Sequence, residues 1–160
     1  MLKFGSSGKF LITSALFLVF NSGVFAQHKQ SAEAVVAGKE ISFTNGTWKE
    51  LTAQAAKSGK LIFVDVNTTW CGPCRLLKST TFKDENVATY FNQHFISYSV
   101  DAEKGEGETL AEQWKVRAYP TLLLVNAEGK IVSRQIGYVN AERLLSWGKE
   151  SAAQGPVAAR

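Results

Sequence analysis

"LIFVDVNTTWCGPCRLL", residues 61–77, holds both cysteines of the 160-residue chain, with only Gly72 and Pro73 between them. Residues 61–66 are apolar except for Asp65. Such a run, bounded by turn-forming residues, reads as a strand covered on both faces. A helix is predicted over roughly 72 to 81, so Cys71 falls at a strand–helix junction. Pro73 suits the first helical turn, where its missing N–H costs nothing.

Two cysteines at this spacing can be a staple, a metal clip or a reagent. A bridge from Cys71 to Cys74 closes so short a loop that chain entropy supplies only on the order of 2 kcal/mol. A core of this size does not need it. Zinc wants four ligands, or three in a catalytic site. Beyond the cysteine pair only His28 and His94 are available as histidines, with no second Cys-x-x-Cys and no His-x₃₋₅-His, so no metal is expected. The reagent reading has a mechanism. Free N–H groups and the positive end of the helix dipole stabilise a thiolate at Cys71. Gly72 adds no side chain, so a large partner can approach the sulfur. Cys74 follows one turn deeper on the same face and less exposed. Cys71 would attack an external disulfide, and Cys74 would resolve the mixed disulfide.

Asp65 interrupts the apolar strand six residues before Cys71. A buried carboxylate is costly unless paired or used. It is either a satisfied structural aspartate or a proton acceptor beneath Cys74, and desolvation should hold its proton on more tightly than usual. Trp70 is either a core aromatic or a flat apolar contact beside the sulfurs. Trp48, Trp114 and Trp147 lie on helical apolar faces and read as packing.

Outward from this stretch, "ISF" (41–43) reads as a short first strand. A helix follows, with Thr47 and Glu50 as a capping box, Gly59 as C-cap, and Trp48, Leu51, Ala55 and Ala56 on one face. A second short helix spans 84–94, capped by Asp84. "FISYSV" (95–100) reads as a strand, "DAEKGEGE" (101–108) as a solvated acidic loop and 109–116 as a short helix. The loop's spacing does not match a calcium loop. A hairpin joins 121–126 to 130–137, and a helix capped by Asn140 runs over 140–151. The order β-α-β-α-α-β-α-β-β-α predicts parallel pairing with an antiparallel hairpin at one edge.

The composition, 45% apolar and 20% charged, is that of one ordinary globular domain. Lys3 and Lys9, the apolar run 10–20 and "NSGVFA" read as a secretory signal cleaved after Ala26. An uncleaved anchor is the alternative, but the run is short of the roughly 20 residues a spanning helix needs. The formal charge of +4 includes those two lysines. No basic cluster with interleaved aromatics suggests nucleic acid. The expected organisation is a signal at 1–26, a flexible leader at 27–39, one domain at 40–151 and a disordered tail at 152–160.

"FVDVNTTWCGPC", followed downstream by Tyr119-Pro120-Thr121 and the "TLLLVNAEGKIV" hairpin, resembles the thioredoxin family over roughly residues 40–150. The resemblance implies the α/β thioredoxin fold: three α/β/α layers around a mixed sheet of four to five strands. It implies Cys71 as attacking thiol, Cys74 as resolving thiol and Asp65 as buried acid–base residue. It makes Pro120 a cis-proline facing the disulfide, so that the Tyr119 backbone can pair with a client, with Trp70, Gly72 and Pro73 on the same contact surface. Family members often place a lysine near the aspartate, on the strand after the second helix. That position counts here to Ser97, and the role is not carried over. The segments 80–95 and 101–121 are similar to exported members and to the periplasmic domain of membrane thiol:disulfide interchange proteins. The implied protein is a periplasmic thiol:disulfide oxidoreductase, a reductase of protein disulfides. It would have no cofactor beyond its own redox-active disulfide, a membrane electron donor, and a monomeric state. An oxidase or isomerase of the same fold is one alternative, and a non-catalytic client-binding module another.

Overall fold

The computed structural model describes residues 39–153. The expected signal segment at 1–26, the expected leader up to residue 38 and residues 154–160 lie outside them. Within them the elements are α1 (Trp48–Ser58), β1 (Leu61–Asn67), α2 (Gly72–Ser79), a 3₁₀ turn (Thr81–Lys83) and α3 (Glu85–His94). After these come β2 (Phe95–Asp101), α4 (Glu106–Gln113), β3 (Thr121–Val125), β4 (Ile131–Ile136) and α5 (Ala141–Ala153).

Four strands form a mixed sheet in the order β2-β1-β3-β4. β1 is central and buried along its whole length. Ile62, Val64 and Val66 point to one face, with Leu51 and Ala55 of α1 and Leu110 of α4. Leu61 and Phe63 point to the other, with Leu77 of α2, Val87 and Phe91 of α3, and Leu144 and Trp147 of α5. Period-two alternation therefore puts Asp65 on the second face, under α2. Phe63 touches the rings of Phe43, Phe82, Phe91 and Trp147. Truncating it to alanine would cost about 3–5 kcal/mol.

The helix ends follow the sequence signals where side chains cap them. The Thr47–Glu50 capping box and the left-handed Gly59 cap enclose α1, Asp84 caps α3, and Asn140 Oδ1 accepts from Arg143 N at 2.9 Å. Leu51 and Ala55 of α1 are buried, while Ala56 faces out. Trp48 packs edge-on against Trp114 at 5.0 Å, and Trp147 Nε1 donates to Ser133 Oγ at 2.8 Å.

Five expectations change. Residues 41–43 form only an isolated bridge, Phe43 to Ser97. Their backbone donors go elsewhere, Ile41 N to the Phe82 carbonyl and Ser42 N to Asn92 Oδ1. The helix after the cysteines stops at Ser79 and continues as the 3₁₀ turn. α4 starts three residues early, at Glu106, because Gly105 adopts φ 56° and Gly107 packs onto the Asp101 carbonyl. Of the three strand pairs only β1–β2 is parallel; β1–β3 and β3–β4 are antiparallel. The connection from β2 to β3 carries only the eight-residue α4, whereas α2, the 3₁₀ turn and α3 all lie between the parallel β1 and β2. At the C-terminus α5 runs to Ala153, through the first two residues assigned to the tail.

Candidate active site

Cys71 is the N-cap of α2, in extended backbone. Its Sγ accepts a hydrogen bond from Cys74 N at 3.1 Å, and its own N–H donates to the Thr68 carbonyl at 3.3 Å. Cys71 and Cys74 are joined by a disulfide with Sγ–Sγ 1.99 Å. The cap geometry follows from the sequence. Pro73 has no N–H to place in the first turn, so the sulfur at the N-cap meets the first donor that is free, Cys74 N–H. A helix N-terminus thus aims a backbone dipole at one particular sulfur. Gly72 and Pro73 are exposed, and a Cβ on Gly72 would meet nothing nearer than 4.0 Å. The outer approach to the bridge is open.

The expected difference in depth between the two sulfurs is absent from residue exposure, which is 3% for Cys71 and 2% for Cys74. Bonding the sulfurs draws both into the same short loop. What separates them is the hydrogen bond from Cys74 N, which among the described residues Cys71 Sγ receives and Cys74 Sγ does not.

Trp70 is 63% exposed, which removes the core-aromatic reading. Its Nε1 donates to both carboxylate oxygens of Glu103 at 3.0 Å. Its ring meets Tyr119 edge-on, centroids 5.9 Å apart. The Tyr119–Pro120 peptide is cis. Pro120 is buried, and its carbonyl accepts from Gly137 N at 2.8 Å.

Asp65 is wholly buried. Its Oδ2 accepts from Asn67 Nδ2 and from Ser99 Oγ, each at 3.0 Å. Lys78 Nζ of α2 stands 3.6 Å from the same oxygen and donates to Asn67 Oδ1 at 3.0 Å. Oδ1 finds no donor among the described residues. Burial pushes the Asp65 carboxyl up from its ordinary value; the Lys78 charge and the hydrogen bonds from Ser99, Lys78 and Asn67 pull it back in part. Asp65 is therefore half-satisfied, between the two readings the sequence left open.

The residue beside Asp65 on β2 is Ser99, whereas Ser97 lies beside Phe63. The cation comes instead from α2, as Lys78. Sequence reasoning missed Lys78, Asn67, Ser99 and Glu103. Lys78 carried a signal, since it follows Cys74 by four residues and shares its helical face. The acidic loop is also more than a solvated insertion. Glu103 holds Trp70, and Glu106 accepts from Trp48 N at 2.9 Å and Tyr98 OH at 2.6 Å. Among the described residues no three His, Cys, Asp or Glu side chains converge as a metal site would need. His94 stacks on Tyr90.

A family model for the thioredoxin-like domain matches residues 48–152. Thioredoxin H2-2 of Oryza sativa subsp. japonica is 39% identical over 59% of this chain and 66% of its own length. Thiol:disulfide interchange protein DsbD of Tatumella citrea is 33% identical over 70% of this chain, which spans only 21% of that protein. Among solved structures, a Bacteroides thetaiotaomicron protein proposed as a disulphide-isomerase is 43% identical, with a TM-score of 0.64, covering 72% of this chain and 95% of its own. The oxidised C-terminal domain of Neisseria meningitidis DsbD shares the fold at 17% identity and a TM-score of 0.58, over 69% of this chain and 98% of its own.

Proposed function

Because the chain belongs to the thioredoxin-like domain family, a family of thiol:disulfide oxidoreductases, we propose that it is an exported reductase of protein disulfides working through Cys71 and Cys74. The observation that carries the reading is the Cys74 N–H aimed at Cys71 Sγ at the head of α2. In the reduced protein that donor and the helix dipole favour the Cys71 thiolate, the attacking form. Cys71 opens the client disulfide and forms a mixed disulfide. Cys74 then attacks Cys71 Sγ, the Cys71–client bond breaks, and the client leaves as a dithiol. Asp65, under α2 with Oδ1 unengaged, takes the Cys74 proton.

Trp70, Tyr119 and the open edge at Gly72 and Pro73 form the client-facing surface. No cofactor is needed beyond the cysteine pair. The basic, apolar N-terminal stretch and the similarity to DsbD support a periplasmic location and recharging by a membrane thiol:disulfide donor. The protein would act as a monomer.

The test is reduction of a disulfide-bonded protein with dithiothreitol as electron source. The wild type should accelerate it and Cys71→Ser should not. Direction is read from the equilibrium potential of the pair. A value near about −270 mV fits a reductase, and one near about −120 mV an oxidase. The 43% identity to the proposed disulphide-isomerase favours isomerisation as the second reading. Reactivation of a scrambled disulfide protein without added reductant would select it. A client-binding module with an inert bridge fails if Cys71→Ser keeps client binding but loses turnover.

A further inference from the structure

Arg75 stands where the fold itself does not favour a cation. It is the fourth residue of α2, close to the positive end of the helix, which disfavours a positive side chain. It is exposed, and among the described residues it pairs with no carboxylate. The ion pairs there join Lys78 to Asp65, Lys83 to Glu40 and Lys104 to Asp101. Arg75 Nη1 donates instead to the Thr69 carbonyl at 3.1 Å. A Cβ built on Gly72 would have Arg75 Nη2 as its nearest neighbour, at 4.0 Å. The guanidinium therefore lies along residues 69–72, beside the open edge next to Cys71.

We infer that Arg75 is a specificity-determining residue: it takes a client carboxylate, so the preferred clients are protein disulfides whose cysteine is flanked by acidic residues. The inference rests on the proposed attack of Cys71 on a client disulfide. A guanidinium presents its N–H donors in a planar fork, and the bond to Thr69 uses one of them. The donors left over fit a carboxylate, which accepts two side by side. A long side chain already tethered to the backbone also loses less freedom when a partner binds.

The electrostatics of the encounter make this contact matter. The attacking form of Cys71 is an anion, and an acidic client approaches it against Coulomb repulsion. A cation at the same edge turns that repulsion into attraction. Glu103 and Arg117 also carry charge near the entrance. Both oxygens of Glu103 are engaged by Trp70 Nε1. Arg117, two residues before Tyr119, donates to the Val116 carbonyl at 3.3 Å. Arg75 is the charge fixed beside Gly72, where a large partner has room to approach.

The test uses peptides of one length with Glu, Gln or Lys on both sides of a single cysteine, activated as its 2-pyridyl disulfide. Cys71 Sγ of the reduced protein bonds to the peptide sulfur. The pyridyl sulfur departs with the electron pair, takes a proton from water and is read as uncharged pyridine-2-thione. Each rate constant, at neutral pH and low salt, is divided by that of 2-mercaptoethanol with the same peptide, which removes the peptide's own reactivity. The Glu peptide should exceed the Lys peptide on the order of fivefold, and added salt should shrink the ratio. Arg75→Gln, which keeps an N–H donor, should bring the ratio close to one, and Arg75→Glu should invert it. A ratio near one in the wild type overturns the assignment. So does an equal slowing of all the peptides in Arg75→Gln, which would make Arg75 a support of the Cys71 thiolate instead. A protein that shows the Arg75-dependent ratio but reduces no protein disulfide keeps the assignment and sinks the reductase reading. One that reduces protein disulfides without the ratio loses the assignment alone.

Discussion

Asp65 and Ser99 stand opposite each other in the parallel register of β1 and β2, and the Ser99 hydroxyl donates to Asp65 Oδ2 at 3.0 Å. The other carboxylate oxygen is buried without a donor among the described residues. One residue is thus anchored on one side and unsatisfied on the other, under the helix that carries both cysteines.

That imbalance has a stability consequence. Burial holds the Asp65 carboxyl above its ordinary value. A carboxyl raised on folding contributes stability that is complete at low pH and lost as pH climbs through its folded-state value. Asp65→Asn should therefore be more stable than wild type at neutral and alkaline pH, where the wild type must hold a desolvated charge. The advantage should vanish in acid. Denaturant midpoints of both proteins across pH check this; a constant difference would mean that the charge is not responsible.

Trp70 is held in an exposed position by its hydrogen bonds to Glu103, with Tyr119 edge-on to its ring. Glu103→Ala should free the indole and raise KM for a protein disulfide several-fold, about 1 kcal/mol. The rate at which a small alkylating agent reaches Cys71 should stay unchanged. Steady-state kinetics and alkylation rates, measured on one preparation, separate the two effects.

Gly107 opens α4 against the end of β2. A Cβ there would sit 1.9 Å from the Asp101 carbonyl oxygen and 2.8 Å from Val100 Cγ2. Backbone cannot swing aside as a side chain can, so Gly107→Ala should cost about 3 kcal/mol, the upper end of overpacking. It should also loosen the grip of Glu106 on Trp48 and Tyr98. Chemical denaturation followed by tryptophan fluorescence reads both.

Much of this was legible in the chain because local chemistry specified it. The Thr47–Glu50 box, the Asp84 and Asn140 caps and the two-faced strand 61–66 each declare themselves within a few residues. The head of α2 did so too, through Cys71, Gly72 and Pro73. What the sequence hid depends on register and on long-range pairing. Counting along β2 pointed to Ser97, but the parallel ladder sets Ser99 beside Asp65. A lysine sought on a strand is supplied by a helix. The acidic stretch 101–108 looked solvated because two of its partners, Trp70 and Trp48, are far away in sequence. The strand expected at 41–43 failed because its donors found closer acceptors on the 3₁₀ turn and on α3.

The central claim is that the start of α2 holds Cys71 in its reactive, anionic form while Cys74 waits as a thiol. Site-resolved alkylation of the reduced protein at neutral pH tests it most directly. Cys71 should react at least about tenfold faster than the same cysteine in the unfolded chain, with Cys74 slower than either. Equal rates for the two cysteines, matching those of the unfolded chain, would contradict it.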